Sequence, residues 1–448
     1  MSTHPEPLFD GERHGSPPLP VVQAARRHLR VAGASADAGA GADRPLRLLY
    51  VSHSFPPEGR LLDNLGGMQR VATELHDALA AHPGVRLTSR VLRSTSAATP
   101  FRIGPFLAGL LVELPRLVAR ERIDAVLFSS PVTAALALPL RPFLAAHGVR
   151  LATIAYGLDV TSPLPVWRSI ARGALRAMDD VFAISRATAE ACIARGAQAD
   201  RVRVVPCGID TRRFPAVQDR RAERRALLAS LSTGDAGPIA DGALLLAGVG
   251  RHVRRKGFAW MVDAVMPLLP ADVVFLLAGE GPETGAVREA VARRGLAGRV
   301  RLLGRVSDAD LARLYRGADL FVMPNVPVAG DMEGFGVVIL EAGLSGLPTV
   351  GTALEGIRDA VTEGENGDLV PAGDARAFAD AVLRFHRDRP LLAERSARAR
   401  RFVAPRFEWG DVADRFVRAL GEAQGARAQP AGRSGGGSLS VSSPQRMP

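Results

Sequence analysis

Lysine is almost absent from this chain: of 57 basic side chains only Lys256 carries an ammonium, and all the others are arginine. A position that keeps the one lysine points to a need for a compact charge on a flexible stem rather than a planar fork. Cysteine is nearly as scarce, with Cys192 and Cys207 alone. That excludes a disulfide framework and a thiolate zinc site and fits a reducing cytoplasm. Aromatic residues make up 5%, too few to stack single-stranded nucleic acid, so no nucleic-acid partner is expected. No apolar run reaches membrane-spanning length. The longest candidate, residues 131–146, is cut by Pro139, Arg141 and Pro142 and reads as core. The opening residues, Met1 to Pro7, lack the basic-then-apolar layout of a secretory signal, so a cytoplasmic location is expected.

Apolar residues make up 47% of 448 positions, enough for two or more domains, and the net charge of +11 points to anionic partners. Nucleotides, phosphorylated substrates and an anionic membrane surface all qualify. Residues 1–44 and 425–448 lack periodicity and read as disordered extensions. Between them, short β-branched or leucine-rich runs alternate with helical patterns, as in parallel sheets covered on both faces. The first half gives strands at 46–53, 85–92, 125–130, 150–157, 181–185 and 202–205. The second gives 243–250, 273–279, 300–304, 320–324, 349–351 and 368–370. These periods predict an α/β protein of two doubly wound, Rossmann-like domains, 45–209 and 242–404, facing across a cleft. An arginine-rich linker or loosely packed helix at 210–241 joins them, and a helix at 405–424 packs back on the first. Ligands of such sheets sit beyond the carboxyl ends of the strands.

Two segments carry chemistry. Lys256 follows an apolar strand in Gly250-Arg251-His252-Val253-Arg254-Arg255-Lys256-Gly257, a setting suited to gripping phosphate. Glu333-Gly334-Phe335-Gly336 runs into an apolar helix bearing Glu341. Glycines there admit a ligand to the backbone, free amides at the helix start attract phosphate, and carboxylates accept from vicinal hydroxyls. Taken alone, Glu333 could be a cap and Glu341 a solvated helix residue. Pro324-Asn325 before and Gly346-Leu347-Pro348 after favour a functional element.

These pieces resemble glycosyltransferase family 4, retaining enzymes of the two-domain GT-B fold. Further matches are Leu277-Ala278-Gly279-Glu280-Gly281-Pro282, Gly304-Arg305-Val306 and Leu314 to Asp319 in the second half. The first half matches through Gly66-Gly67-Met68-Gln69-Arg70 and Val205 to Asp210. The resemblance implies transfer of a sugar from a nucleoside-diphosphate sugar to a hydroxyl of a lipid, glycan or small molecule. It places Arg251 and Lys256 on the diphosphate, Glu333 and the Phe335 and Gly336 amides on the donor sugar, and Glu341 on the ribose. Gly66 and Gly67 would close on the phosphates. Arg251, Lys256 and Glu333 form the catalytic set, and neither a tightly bound cofactor nor a metal is expected.

The chain departs from the family pattern at Tyr156-Gly157, where many members carry histidine before glycine, and at Cys207, where asparagine is usual. Tyr156 is expected at the cleft and Cys207 as a small buried filler. Asp308-Ala309-Asp310 has metal-binding spacing, yet Ser307 before it and Leu311 after it mark a helix start. His53 ends the first strand and stays unassigned. Other classes remain open: an epimerase or phosphorylase of the same fold, or a non-catalytic sugar-nucleotide binder. The helical pattern Phe101 to Arg122 could lie on an anionic membrane, making the enzyme peripheral, or pack its apolar stripe on the sheet, with Pro115 interrupting a long interfacial helix.

Overall fold

The short apolar runs all become strands, and every strand pairing is parallel. A computed structural model of the chain describes residues 30–31, 44–58, 67–95, 97–162, 164–215, 217–231 and 237–428. The first sheet contains β1 (Arg30–Val31), β2 (Leu46–Phe55), β3 (Val85–Arg93), β4 (Ala125–Phe128), β5 (Arg150–Ala155), β6 (Asp180–Ala183) and β7 (Val202–Val204), in the order β1-β7-β6-β5-β4-β2-β3. The second contains β8 (Leu244–Val249), β9 (Val273–Ala278), β10 (Val300–Gly304), β11 (Leu320–Met323), β12 (Thr349–Thr352) and β13 (Gly367–Val370), in the order β10-β9-β8-β11-β12-β13. Central strands such as β4, β9 and β11 are buried at every position, the mark of a sheet covered on both faces. The order in which strands are added reverses between β2 and β4 in one sheet and between β8 and β11 in the other. Those are the switch points where a crevice opens beyond the strand ends.

The extension assigned to 1–44 holds the edge strand β1. The remainder of 1–43, and the tail beyond Ala428, lie outside the described residues. The arginine-rich linker forms a helix, Arg220–Leu231, that buries Leu227 and Leu228. Its arginines act as structural pins: Arg224 Nη1 meets Asp319 Oδ2 at 2.8 Å, and Arg220 donates to the carbonyls of Gly346 and Ala318.

The helix Thr99–Glu121 runs through Pro105 and Pro115 without a break, although a proline removes one ladder hydrogen bond. Burial of Leu110, Leu114, Leu117 and Val118 offsets that loss. Among the described residues no helix is long and apolar enough to cross a membrane.

One apolar cluster is continuous through both domains, from Leu48 and Tyr50 through Phe214 and Phe407 to Leu245 and Phe321. The last helix, Trp409–Ala428, returns to the first domain: Phe416 packs on Phe182 with ring centroids 4.6 Å apart, and Asp414 meets His82 Nε2 at 2.8 Å. Gly208 makes this return possible, since a Cβ there would lie 2.4 Å from Trp409 Cδ2. Gly208→Ala should therefore lower unfolding free energy by about 1–3 kcal/mol through overpacking. A melting temperature equal to wild type would show that Trp409 is not seated there in solution.

Candidate functional site

The site begins where β8 ends. The chain leaves Val249 through Gly250 and Arg251, then tightens into a short turn, Arg254–Lys256. Gly257 follows with φ +64°, and a Cβ there would strike the Pro324 carbonyl at 2.0 Å. Only glycine allows both the left-handed backbone and this approach to the end of β11. The Val326 amide seals it by donating to the Arg255 carbonyl at 2.9 Å. The two strand ends at the switch point are thereby clamped together, which puts the only lysine beside Asn325.

Lys256 is buried at 7% exposure, a costly place for an ammonium without a partner. Its partner is Glu333: Nζ lies 2.7 Å from Oε2. The same oxygen accepts from Asn325 Nδ2 at 3.2 Å and lies 3.4 Å from Arg255 Nε, while Arg255 Nη1 holds Asp331 at 2.8 Å. Burial works against the Glu333 charge, but Lys256 and Arg255 outweigh it and hold the carboxyl below its ordinary range. Glu333 is therefore a fixed anion with its Oε1 left over. Asn325 Oδ1 is buried without a partner, a second acceptor on a residue that holds Glu333. The Glu333 amide donates to the carboxylate of Glu355, a non-glycine residue at φ +46° whose pKa is raised by burial.

After Glu333 the chain turns through Gly334 and Phe335 to Gly336, φ +87°, which opens the helix Val337–Leu344. Its first amides lack helical acceptors and carry the positive end of the helix dipole. Glu341 lies about one turn along and is 2% exposed. Its Oε1 accepts from Arg70 Nη1 at 2.6 Å and its Oε2 from the Tyr315 hydroxyl at 3.0 Å.

The first domain supplies the facing wall. A Cβ on Gly334 would meet the Tyr156 carbonyl at 2.1 Å, so the backbones of the two domains touch at that point. Arg186 extends the contact, its Nε 2.6 Å from Asp359 of the second domain. Tyr156 corrects an expectation. Its ring is buried in the shared core, with the hydroxyl unpartnered, and only its backbone faces the cleft loop. Apolar neighbours such as Ile154, Ile184 and Val205 draw the ring inward. Asp159, three residues on, accepts from the Tyr156 amide at 3.0 Å and so holds the loop. His53 ends up at the first switch point, 3.4 Å from both Ser54 Oγ and Ser130 Oγ. Burial lowers its pKa to about 4, which keeps it neutral. Cys207 is a buried filler whose thiol pKa burial raises. Asp308 and Asp310 open a helix capped by Ser307 and pair with Arg213 and Arg313.

Lys256, Glu333, Phe335 and Gly336 thus converge, with Glu341 on the same helix. Arg251 stands exposed at the strand end. Gly67 starts the helix Gly67–Ala81, where an added Cβ would meet nothing within 4 Å among the described residues, and Gly66 lies outside them. Sequence reasoning assigned no role to Arg255, Asn325, Glu355, Tyr315 or Arg70. The Pro324-Asn325 pair and the arginine ending Gly66 to Arg70 were the available signals.

Burial raises the pKa of Asp159 to about 7, against backbone hydrogen bonds that favour its charge. An acid raised in the folded state costs stability only once ionised. Stability is therefore full below the ordinary value of 3.8 and is lost as pH climbs towards about 7. The melting temperature of Asp159→Asn relative to wild type should rise between pH 4 and pH 7.5. A constant difference across that window would contradict the burial.

Comparison with known proteins agrees with this fold. Residues 65–213 match the model described as Glycosyltransferase Family 4, and residues 243–388 match Glycosyl transferases group 1. A GDP-mannose-dependent alpha-(1-6)-phosphatidylinositol monomannoside mannosyltransferase of Mycobacterium tuberculosis is 28% identical over 391 residues, 83% of this chain and 97% of its own. A phosphatidyl-myo-inositol mannosyltransferase of Mycobacterium leprae is 36% identical over 166 residues, 37% of this chain; the match spans less than half, 42%, of that relative. Among solved structures, Anabaena Alr3699/HepE in complex with UDP superposes with a TM-score of 0.66 at 19% identity, over 84% of this chain and 100% of its own. Sucrose-phosphate synthase from Thermosynechococcus elongatus gives 0.65 at 21% identity, over 85% and 100%. With both halves matched in order and both sheets in place, the chain belongs to the group 1, family 4 glycosyltransferases of the GT-B fold.

Proposed function

We propose that this protein transfers a sugar, with retention, from a nucleoside-diphosphate sugar to a hydroxyl of a lipid or glycan acceptor. The observation that carries this reading is the buried Lys256–Glu333 pair at the β8–β11 switch point, beside the helix start at Gly336. Departure of a nucleoside diphosphate builds negative charge on the leaving oxygen. Fixed positive groups in a water-poor site stabilise such charge more than any other single device. Buried Lys256 supplies one of them and the amides after Gly336 another, and exposed Arg251 at the strand end adds a cation that reaches the diphosphate from the mouth of the cleft. Glu333, held anionic, accepts from the donor sugar's hydroxyls with its remaining lone pairs, and Glu341 accepts from the ribose. In retaining transfer of this kind the donor phosphate takes the proton of the incoming hydroxyl on the face it leaves. No protein nucleophile is then required, and none of the site carboxylates is assigned that part.

The relatives' names support a membrane-lipid or glycan acceptor, since two of them act on phosphatidylinositol derivatives. The UDP complex of the Anabaena protein supports a nucleotide donor. A place in the cytoplasm at the inner membrane face is consistent with the +11 charge and with exposed Phe101, Val112, Arg116 and Arg120 on the helix Thr99–Glu121. Each basic residue near an anionic bilayer contributes about 1 kcal/mol of attraction. Salt-sensitive co-sedimentation with anionic but not neutral vesicles is expected, reduced by Arg116→Glu with Arg120→Glu. Absence of pelleting with either lipid would point to a soluble acceptor.

The donor is found by thermal shift with UDP-, GDP- and ADP-sugars, since a ligand of the folded state raises its melting temperature. Acceptor-dependent release of the matching nucleoside diphosphate then tests transfer. Lys256→Ala should lower that rate on the order of 100-fold or more with its melting curve still cooperative. A folded Lys256→Ala protein turning over at the wild-type rate would refute the assignment.

A further inference from the structure

Glu341 was read as the ribose ligand, but the second domain does not hold it alone. Its side chain is 3% exposed, and the cation that meets it is Arg70, 271 residues away on the opposite domain. The 2.6 Å contact leaves from the first turn of the helix Gly67–Ala81, immediately after the glycine turn expected to close on the phosphates. Tyr315, buried beneath, donates to the other carboxylate oxygen at 3.0 Å.

Arg70 has a nearer carboxylate available in Glu74, one helical turn along. Glu74 is already engaged, by Trp409 Nε1 at 2.6 Å and by Arg213 Nη1 at 3.7 Å. Both partners are fixed by the chain's crossings between domains, the linker and the last helix. Their occupation of Glu74 steers the Arg70 fork towards Glu341. With one donor on each oxygen, the carboxylate keeps a lone pair on each for a vicinal diol. Arg70 Nη1 on Oε1 and the Tyr315 hydroxyl on Oε2 together hold both ends of the carboxylate, and a shorter, differently shaped lysine would not place its ammonium in the same position.

We propose that Arg70 is a positioning residue for nucleotide binding: it sets the Glu341 carboxylate for the ribose hydroxyls, so that the nucleotide site is complete only when the first domain is closed upon it. The inference rests on Glu341 being the ribose ligand. Arg70 touches neither the sugar nor the diphosphate. Its role differs from a plain interdomain tie, which would alter stability without altering how ribose is distinguished from deoxyribose.

Calorimetry on the full chain with UDP, GDP and ADP, each beside its 2′-deoxy counterpart, separates these roles. Wild type should prefer the ribonucleotide on the order of tenfold or more, the range of a hydrogen bond to a charged group. Arg70→Met should bring that preference close to unity while bare diphosphate binding persists, and Arg70→Lys should restore only part of it. Should Arg70→Met fail to fold, Arg70→Lys and Tyr315→Phe carry the test, each expected to lose several-fold of the preference. Undiminished preference in the folded Arg70 variants would overturn the proposal. So would tighter ribonucleotide binding in them, which would make Arg70 an occupant that ribose must displace. Glu341→Gln tests the reading beneath: loss of the preference there with retention in the Arg70 variants sinks the proposal alone. Retention in Glu341→Gln sinks the ribose assignment itself, and the proposal with it.

Discussion

A single buried ammonium paired with a single buried carboxylate organises the donor side of this molecule. Lys256 and Glu333 are both almost withdrawn from water, and each would be costly to bury without the other. Their contact requires the end of β8 to lie against the end of β11, which Gly257 permits by taking a left-handed backbone against the Pro324 carbonyl. It also requires the Glu333 loop to fold back, which the Gly334 to Gly336 turn provides. The switch point of the sheet is thus an electrostatic device as well as a crevice. In the proposed reaction an incoming diphosphate would meet an ammonium whose charge is partly balanced, and the sugar a carboxylate that is already oriented.

The second constraint is the joint between domains. A GT-B cleft has to open and close, yet here the apolar core is continuous across the joint and the last helix crosses back to the first domain. Around that joint the polar groups interlock: Arg70 with Glu341, Trp409 and Arg213 with Glu74, Arg186 with Asp359. Each pair joins parts of the chain distant in sequence. If Glu341 holds the ribose, as proposed, closure and ligand recognition would share the same side chains, and binding energy would reach the geometry of transfer through them.

Much of this was legible in the sequence, for identifiable reasons. The strands are short and apolar on both faces, so β4, β9 and β11 announce themselves without alternation. Lys256, Glu333, Gly336 and Glu341 stand out because their chemistry is carried by neighbours within ten residues. What composition and spacing left hidden depends on contacts made at long range. Arg70 reaches across 271 positions. Tyr156 turns into the apolar core it shares with Ile154, Ile184 and Val205, though its place after a strand suggested the cleft. Pro115 continues a helix because Leu114 and Val118 either side of it are buried in the same core as Leu49 and Val126, outweighing a local penalty. The arginines at 220 and 224 looked like a loose linker's charge and are instead capped by carbonyls and Asp319.

The central claim is that Glu333 tunes the charge Lys256 presents to a diphosphate. A double-mutant cycle reads it directly: nucleoside-diphosphate affinity for wild type, Lys256→Met, Glu333→Gln and the pair combined. If the two groups share one charge balance, Glu333→Gln tightens the bare diphosphate several-fold while Lys256 is present and has no such effect once Lys256 is gone. Additive effects, or weaker diphosphate binding on losing Glu333 alone, would contradict the account.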